Sequence, residues 1–320
     1  MESSNSAPRR RMLVVVNPYA TSVDRKMRNL VLAALESRYD VDVADTTAPG
    51  HARELASTAA TDGHELVATL GGDGTLNEAA EALAGSGVPL YPLPGGSQNV
   101  FAKLLGLPSE IVDATQRLLD LADSWPIRHV DLGRANDRVF TFAAGVGLDA
   151  SVVAKVDANP ERKARLKQWY YVQSGITVFL RTYALRRPMI VVETDGGAVP
   201  ASTVMVQNGP SFTFAGARPV TLCGNVALDS GSFAAALVRS GAPLRAGLTA
   251  LRIVGATAEN GGTNGTTQLS PLTTLRLSSA DGQLLPLQVD GDFAGDHATV
   301  EFTIEPGALT VLAPAPKRPA

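Results

Sequence analysis

The sequence predicts an α/β domain followed by a β-rich domain, and three observations carry that reading. Short apolar runs alternate with helix-spaced patterns through the first ~125 residues. Alternation of that kind implies a parallel sheet covered on both faces. After Trp125 the pattern changes to β-runs punctuated by turn dipeptides such as Asp-Gly. The length, 320 residues, favours two domains over one.

Taken in order, "MLVVV" (12–16) reads as a buried strand, and Met27, Leu30, Val31 and Ala34 repeat at helical spacing. "DVDVAD" (40–45) reads as a strand, and a helix is expected from about His51 to Ala60. "ELVATL" is the next strand, followed by helical spacing at Leu76, Ala79, Ala80 and Leu83. "VPLYPL" (88–93) is a short strand, and "NVFAKLLG" and "EIVDATQRLLDLA" read as helices. In the second half, "HVDLGRANDRVFTFAAG" reads as two strands around a turn. Three hairpins are expected: "MIVVETDGGAVPASTVMVQN", "TTLRLSSADGQLLPLQVDGD", and "ATVEFTI" returning through Pro306-Gly307 into "LTVLAP". One helical insertion is expected near 160–185, and the proline-rich end reads as a tail. The expected division is a tail over 1–11, an α/β domain over 12–126 and a β-rich domain over 127–307.

Composition bounds the function. Apolar residues make up 45% and charged residues 18%, and the net charge of -3 gives no sign of a nucleic-acid partner. The one cysteine, Cys223, excludes an internal disulfide, suits a reducing compartment and reads as a small buried residue. No secretory leader is expected in "MESSNSAPRRR", and no run reaches the ~18 apolar residues of a membrane helix.

The chemistry concentrates in "LVATLGGDGTLNEAAEALAG" (66–85). In an open parallel sheet, ligands bind beyond the carboxyl ends of the strands. Gly71 and Gly72 sit at such an end, where backbone N–H groups and the next helix N-terminus form an anion-binding concavity. Asp73 has two readings: a plain helix cap, or an acid that holds a magnesium ion which in turn holds phosphate. Thr75 and Asn77 either cap the helix or contact phosphate oxygens. "PLPGGSQNVFAKLLGLP" repeats the grammar with Gly95, Gly96, Ser97 and Asn99, and "VVVNPYA" offers Asn17 after the first strand. The common nucleotide loops GxxxxGK[ST] and GxGxxG do not occur.

"VNPYA", "GGDGTLNE" and "PLPGGSQNVFAKLLG", with "HVDLG", "FAAGVGLDA" and "VDGD" following in order, resemble the diacylglycerol kinase catalytic domain family. That family includes bacterial lipid kinases and sphingosine and ceramide kinases. The resemblance implies a nucleotide-binding α/β domain, a β-rich substrate domain of sandwich type, and an active site in the cleft between them. It also implies that the last strand, 308–314, returns to the first domain. The implied activity is ATP-dependent phosphorylation of a lipid hydroxyl, of diacylglycerol or a related lipid. ATP is assigned to Asn17, Thr46, Gly71, Gly72, Asp73, Gly74, Thr75, Leu76, Asn77 and Ser97. Mg²⁺ is assigned to Asp73, through waters, and to Asp131 in "HVDLG", whose other reading is an exposed strand or turn aspartate.

The general base is expected at Asp292, where the family has glutamate, with Asp290 as its magnesium-linked or charge-coupled neighbour. By itself, "VDGD" reads as a β-turn, and only the ordered blocks around it reverse that reading. Two carboxylates so close are expected to raise one pKa. Val100 stands where many diacylglycerol kinases carry aspartate, and Ser230 where bacterial relatives carry an acid of a structural magnesium site. That metal is therefore not expected. The stretch 159–188, basic at both ends with Trp169, Tyr170 and Tyr171 between, reads either as a membrane-surface segment or as an ordinary surface helix.

The expected location is cytoplasmic, peripheral at the inner membrane face, with a lipid substrate met transiently there. A homodimer is compatible with this reading, and no residue pattern shows one. Alternatives are a sphingoid-base kinase, an NAD kinase, and a nucleotide- or lipid-binding protein without catalysis.

Overall fold

A computed structural model describes residues 9–20, 23–147, 190–224, 226–238 and 266–315. The expected insertion near 160–185, the surface stretch 159–188 and most of both tails lie outside the described residues. The chain divides into two compact units, Met1–Val130 with Gly307–Ala320, and Asp131–Pro306.

The first unit follows the alternating pattern. Its elements are β1 (Arg11–Val16), α1 (Arg25–Glu36), β2 (Asp40–Asp45), α2 (His51–Thr61), β3 (Leu66–Gly71) and α3 (Asp73–Leu83). β4 (Leu90–Pro94), α4 (Val100–Leu104) and α5 (Ile111–Ser124) complete it. The strands run parallel in the order β2-β1-β3-β4, with Met12 opposite Val41 and Leu66, and Leu70 opposite Leu93. β3 is buried along its whole length, as a strand covered on both faces must be. Ala52, Ala56 and Ala59 of α2 and Leu76, Ala79, Ala80 and Leu83 of α3 face the core. The small α2 face permits close helix approach. α1 buries Val31 and Leu35, whereas Leu30, expected on the same face, is 60% exposed. The 3.6-residue period allowed either neighbouring stripe, and packing selected one.

The second unit contains β6 (Arg138–Phe140), β7 (Ala143–Gly147), β8 (Ile190–Thr194), β9 (Gly197–Ala201) and β10 (Thr203–Gln207). It continues with β11 (Thr213–Ala215), β12 (Arg218–Val220), β13 (Phe233–Val238), β14 (Thr266–Leu272), β15 (Thr274–Ser279), β16 (Leu285–Val289) and β17 (Asp292–His297). Two strands, β5 (Ile127–Ala135) and β18 (Thr299–Leu312), run from one unit into the other.

One sheet of this unit has the order β14-β13-β10-β7-β16-β17, and β15, β8, β9 and the first half of β18 form another. Val146, Val204, Val206, Phe233 and Leu287 from the first meet Ile190, Val192, Leu277 and Phe302 from the second in one apolar core. Alternating strands with two inner faces make this a sandwich. Phe140 and Phe302 meet edge to face at 6.2 Å, and the Phe140 ring covers Gly133, where a Cβ has no room.

Two expected hairpins do not form. β15 pairs with β18 and β8, whereas β16 pairs with β7 and β17, so the Asp281-Gly282 turn passes the chain from one sheet to the other. "ATVEFTI" and "LTVLAP" are one continuous strand, β18. Pro306-Gly307 does not reverse the chain. The strand pairs antiparallel with β15 over Thr299–Thr303 and, beyond the proline, parallel with β4 at Val311. A proline inside a strand needs a place where its missing N–H is not required, and the change of partner supplies one.

Candidate active site

The carboxyl ends of β1, β3 and β4 converge within the first unit. Gly71 and Gly72 end β3 and open α3, while Gly95 and Gly96 follow β4. The two turns lock backbone to backbone. The Gly95 N–H donates to Gly71 O at 2.8 Å. A Cβ on Gly96 would lie 2.6 Å from Gly72 Cα, and one on Gly95 3.2 Å from Gly71 Cα. A Cβ on Gly71 would strike Thr75 Oγ1 at 2.8 Å. The glycines are therefore required first by each other. Their freedom from side chains also leaves the N-terminus of α3 open, because its cap residue Gly72 offers no side chain.

Asn99 adopts φ 49 and spends its side chain inside its own turn, accepting from Gly96 N at 3.0 Å and donating to Gly96 O at 2.8 Å. α4 therefore lacks a local cap. Asp73 supplies it from the other turn: its carboxylate accepts from Val100 N at 3.1 Å and Phe101 N at 3.3 Å. Asp73 is thus a cap, though of α4 rather than of its own helix. Each carboxylate oxygen has two lone pairs, so this use is compatible with a metal-bound water. Glu78, which the sequence reading passed over, plays the same part for α2: its carboxylate accepts from Gly50 N at 2.8 Å and Ala52 N at 3.1 Å. A signal was available, since Gly50 cannot cap α2 with a side chain.

Asn17 closes the first side. Its Nδ2 donates to Thr75 Oγ1 at 3.1 Å, and its Oδ1 accepts from Tyr19 N at 2.9 Å. Thr46 lies at the end of the neighbouring strand and donates its N–H to Val16 O at 2.8 Å. Ser97 is exposed on the second turn, and Gly74 is half-buried. Leu76 is 3% exposed and belongs to the core, while Asn77 is buried in α3. The structure thus brings Asn17, Gly71–Thr75 and Ser97 to one end of one sheet. A small hollow there is lined by Gly71, Gly72, Asp73, Leu76, Pro94 and Asn99.

The remaining candidates lie in the second unit. Asp131 is 2% exposed, and its Oδ2 accepts from Gly231 N at 2.6 Å. That contact, with Asp131 N donating to Leu228 O, fixes the loop 228–231. Among the described residues no three His, Cys, Asp or Glu side chains converge as a metal site. Around Ser230, the hydroxyl donates to Ala227 O at 2.9 Å and bonds to Ser232.

"VDGD" is a two-residue hairpin turn: Val289 pairs with Asp292, and Asp290 and Gly291 have φ 48 and 90. Asp290 is held by the connection that precedes β7. Its Oδ2 accepts from Thr141 N and Oγ1 at 2.7 and 2.8 Å, and its Oδ1 from Phe142 and Ala143 N at 3.1 and 3.0 Å. Burial pushes its carboxyl above the usual range, and the four hydrogen bonds oppose that. Asp290 is buried at the foot of the turn and Asp292 stands exposed at the start of β17, the edge strand of its sheet. Cys223 is buried, and burial pushes its thiol up to about 12, which leaves it inert.

Residues 11–135 match the diacylglycerol kinase catalytic domain. A "Probable lipid kinase YegS-like" of Pseudomonas savastanoi pv. phaseolicola is 34% identical over 178 residues, 55% of each chain. The match thus spans about half of that relative's length. A protein of the same name in Pseudomonas aeruginosa is 29% identical over 91% of each chain. A solved structure of a diacylglycerol kinase from Bacillus anthracis str. Sterne superposes with TM-score 0.73 at 23% identity, covering 96% of this chain and 98% of that one. The fold is therefore that of this structure, with the diacylglycerol kinase catalytic domain matched over residues 11–135.

Proposed function

We propose that the protein is a lipid kinase that transfers the γ-phosphate of Mg²⁺-bound ATP to a lipid hydroxyl, diacylglycerol or a close relative. The carrying observation is the pair of interlocked glycine turns at the carboxyl ends of parallel strands, with Asn17, after the neighbouring β1, bonded to Thr75 in the first of them. The family match over 11–135 and the lipid-kinase names of the relatives support the same reading.

Asn17, Thr46, Gly71–Thr75 and Ser97 are assigned to the nucleotide. Backbone N–H groups at the start of α3 stabilise phosphate charge. Asp73 would hold the hydration shell of a Mg²⁺ ion, which would supply positive charge beside the transferred group. Asp131 is retained as a partner to that shell through water. Asp292 is assigned as proton acceptor for the lipid hydroxyl, because it is exposed while Asp290 has its oxygens committed to the backbone. Among the described residues no helix is long and apolar enough to cross a membrane. The proposal therefore has the lipid met at a bilayer surface.

The test is transfer of labelled γ-phosphate to diacylglycerol, monoacylglycerol, sphingosine, ceramide and phosphatidylglycerol in mixed micelles, with NAD as a soluble acceptor. A labelled lipid that disappears in Asp73→Asn and falls about 10²–10⁴-fold in Asp292→Asn supports the assignment. ATP binding without transfer to any acceptor would replace it with the non-catalytic binding protein.

A further inference from the structure

Asn208 follows β10 directly and is fully buried. Its Nδ2 donates to two carbonyls, Asp131 O at 2.9 Å and Thr141 O at 3.0 Å. Its own N–H donates to Phe142 O at 2.8 Å. One side chain therefore ties β5, at Asp131, to the connection between β6 and β7. That connection and the first residue of β7 supply every donor described above for Asp290, and Asp290 N in turn donates to Ala143 O at 2.8 Å. Asp290 then forms the turn whose next residue but one is Asp292.

The chemistry fixes the amide's orientation. Both Nδ2 hydrogens meet carbonyl oxygens, and a flipped amide would set three oxygens against one another. Its Oδ1 is buried and takes no hydrogen bond from any described residue. An apolar residue of equal size would remove that unpaired acceptor but would also take the donor away from two buried carbonyls. The asparagine holds those two carbonyls at a set separation.

We propose that Asn208 is a positioning residue for phosphoryl transfer. It sets the spacing between the Asp131 strand and the Asp290 turn, and so the placement of Asp292. The inference rests on the kinase reading above for its catalytic consequence, while its structural part stands independently of it.

The experiment uses the full chain with Asn208→Leu, which removes both donors and the unpaired acceptor, and Asn208→Ser, which keeps one donor. Hydrogen exchange read by mass spectrometry follows residues 141–143 and 290–292 against β10 and β13. In Asn208→Leu, exchange at 141–143 and 290–292 is expected to quicken at least about tenfold while β10 and β13 stay protected. Asn208→Ser is expected to fall between. Steady-state rates are expected to show kcat about 10- to 100-fold lower with KM for ATP within about twofold. Unchanged exchange at 141–143 and 290–292, loosening spread evenly over the sheet, or an unaltered kcat despite local loosening would each overturn the proposal. A wild type that phosphorylates no acceptor refutes the kinase reading, and exchange still decides whether Asn208 holds the turn.

Discussion

Gly96 carries the tightest packing in the first unit. A methyl group there would meet Gly72 Cα at 2.6 Å and Asn99 Oδ1 at 3.1 Å, and the nearer partner is backbone, which has no rotamer to change. Gly96→Ala is expected to cost about 1–3 kcal/mol, read as a lower urea midpoint with unchanged slope. Gly85 has φ +70 with open space around it, so Gly85→Ala is expected to cost only the ~1–2 kcal/mol of a left-handed residue. A Gly96→Ala loss under about 1 kcal/mol would show that the turns do not lock.

Asp42 tests the electrostatics. Hydrogen bonds from His64 and then Arg11 hold its carboxyl below the usual range. A depressed folded pKa means stability present at neutral pH and lost as pH falls below about 4 through the folded value. Because Asp42 is largely exposed, Asp42→Asn is expected to cost under about 1 kcal/mol at pH 7, and less at pH 3. A gap that widens toward acid would contradict this.

At this scale the glycines and Asp73 were legible in the sequence because turn chemistry is local. The partners of Asp73 were not, because Val100 and Phe101 come from a second turn 27 and 28 residues away. Asn208 gave no signal, since its bonds to Asp131 and Thr141 span 77 and 67 residues.

Among the elements, α3 is the hub of the first unit. Two of its three carboxylates cap other helices: Asp73 holds the start of α4 and Glu78 the start of α2. Neither receiving helix has a side-chain cap of its own. Glu78→Ala is expected to cost about 1 kcal/mol and to quicken amide exchange selectively in the first turn of α2. Exchange that is unchanged in α2 would show that Glu78 is not its cap.

The helices and parallel strands were legible because their period and their neighbours lie close in sequence. The second unit was legible as β but not in its pairings. Asp281-Gly282 and Pro306-Gly307 are genuine turn dipeptides by composition. Yet the first only hands the chain to another sheet and the second lies within a continuous strand. Turn chemistry reports a local bend, while the partner of a strand is chosen by burial that no local window contains.

On the scale of the whole molecule, the chain leaves its first unit at Val130 and re-enters it at Gly307. The return is made by the second half of β18, where Leu309, Val311, Leu312 and Ala313 are fully buried. Val311 pairs with Leu90 of β4, the Gly85 N–H donates to Ala308 O at 2.8 Å, and the Ala313 N–H donates to Pro126 O at 3.1 Å. The first unit is thus unfinished until the last described strand arrives. Ending the chain after Pro306 would uncover the β4 edge and remove three large apolar side chains from the core. At about 1.5–3 kcal/mol for each such side chain, the loss is about 5–9 kcal/mol, comparable with the whole stability of a domain.

The expected outcome is that the truncated chain loses the thermal transition of the α/β unit and is cut by protease within residues 12–125, while the full chain resists. Substituting Leu309→Ala and Val311→Ala in the full chain separates packing from chain length, since it keeps the backbone pairing and removes only side chains. Those two changes are expected to lower the same transition by a smaller step. Resistance of the truncated chain to protease across 12–125 would mean that the α/β unit closes without its final strand.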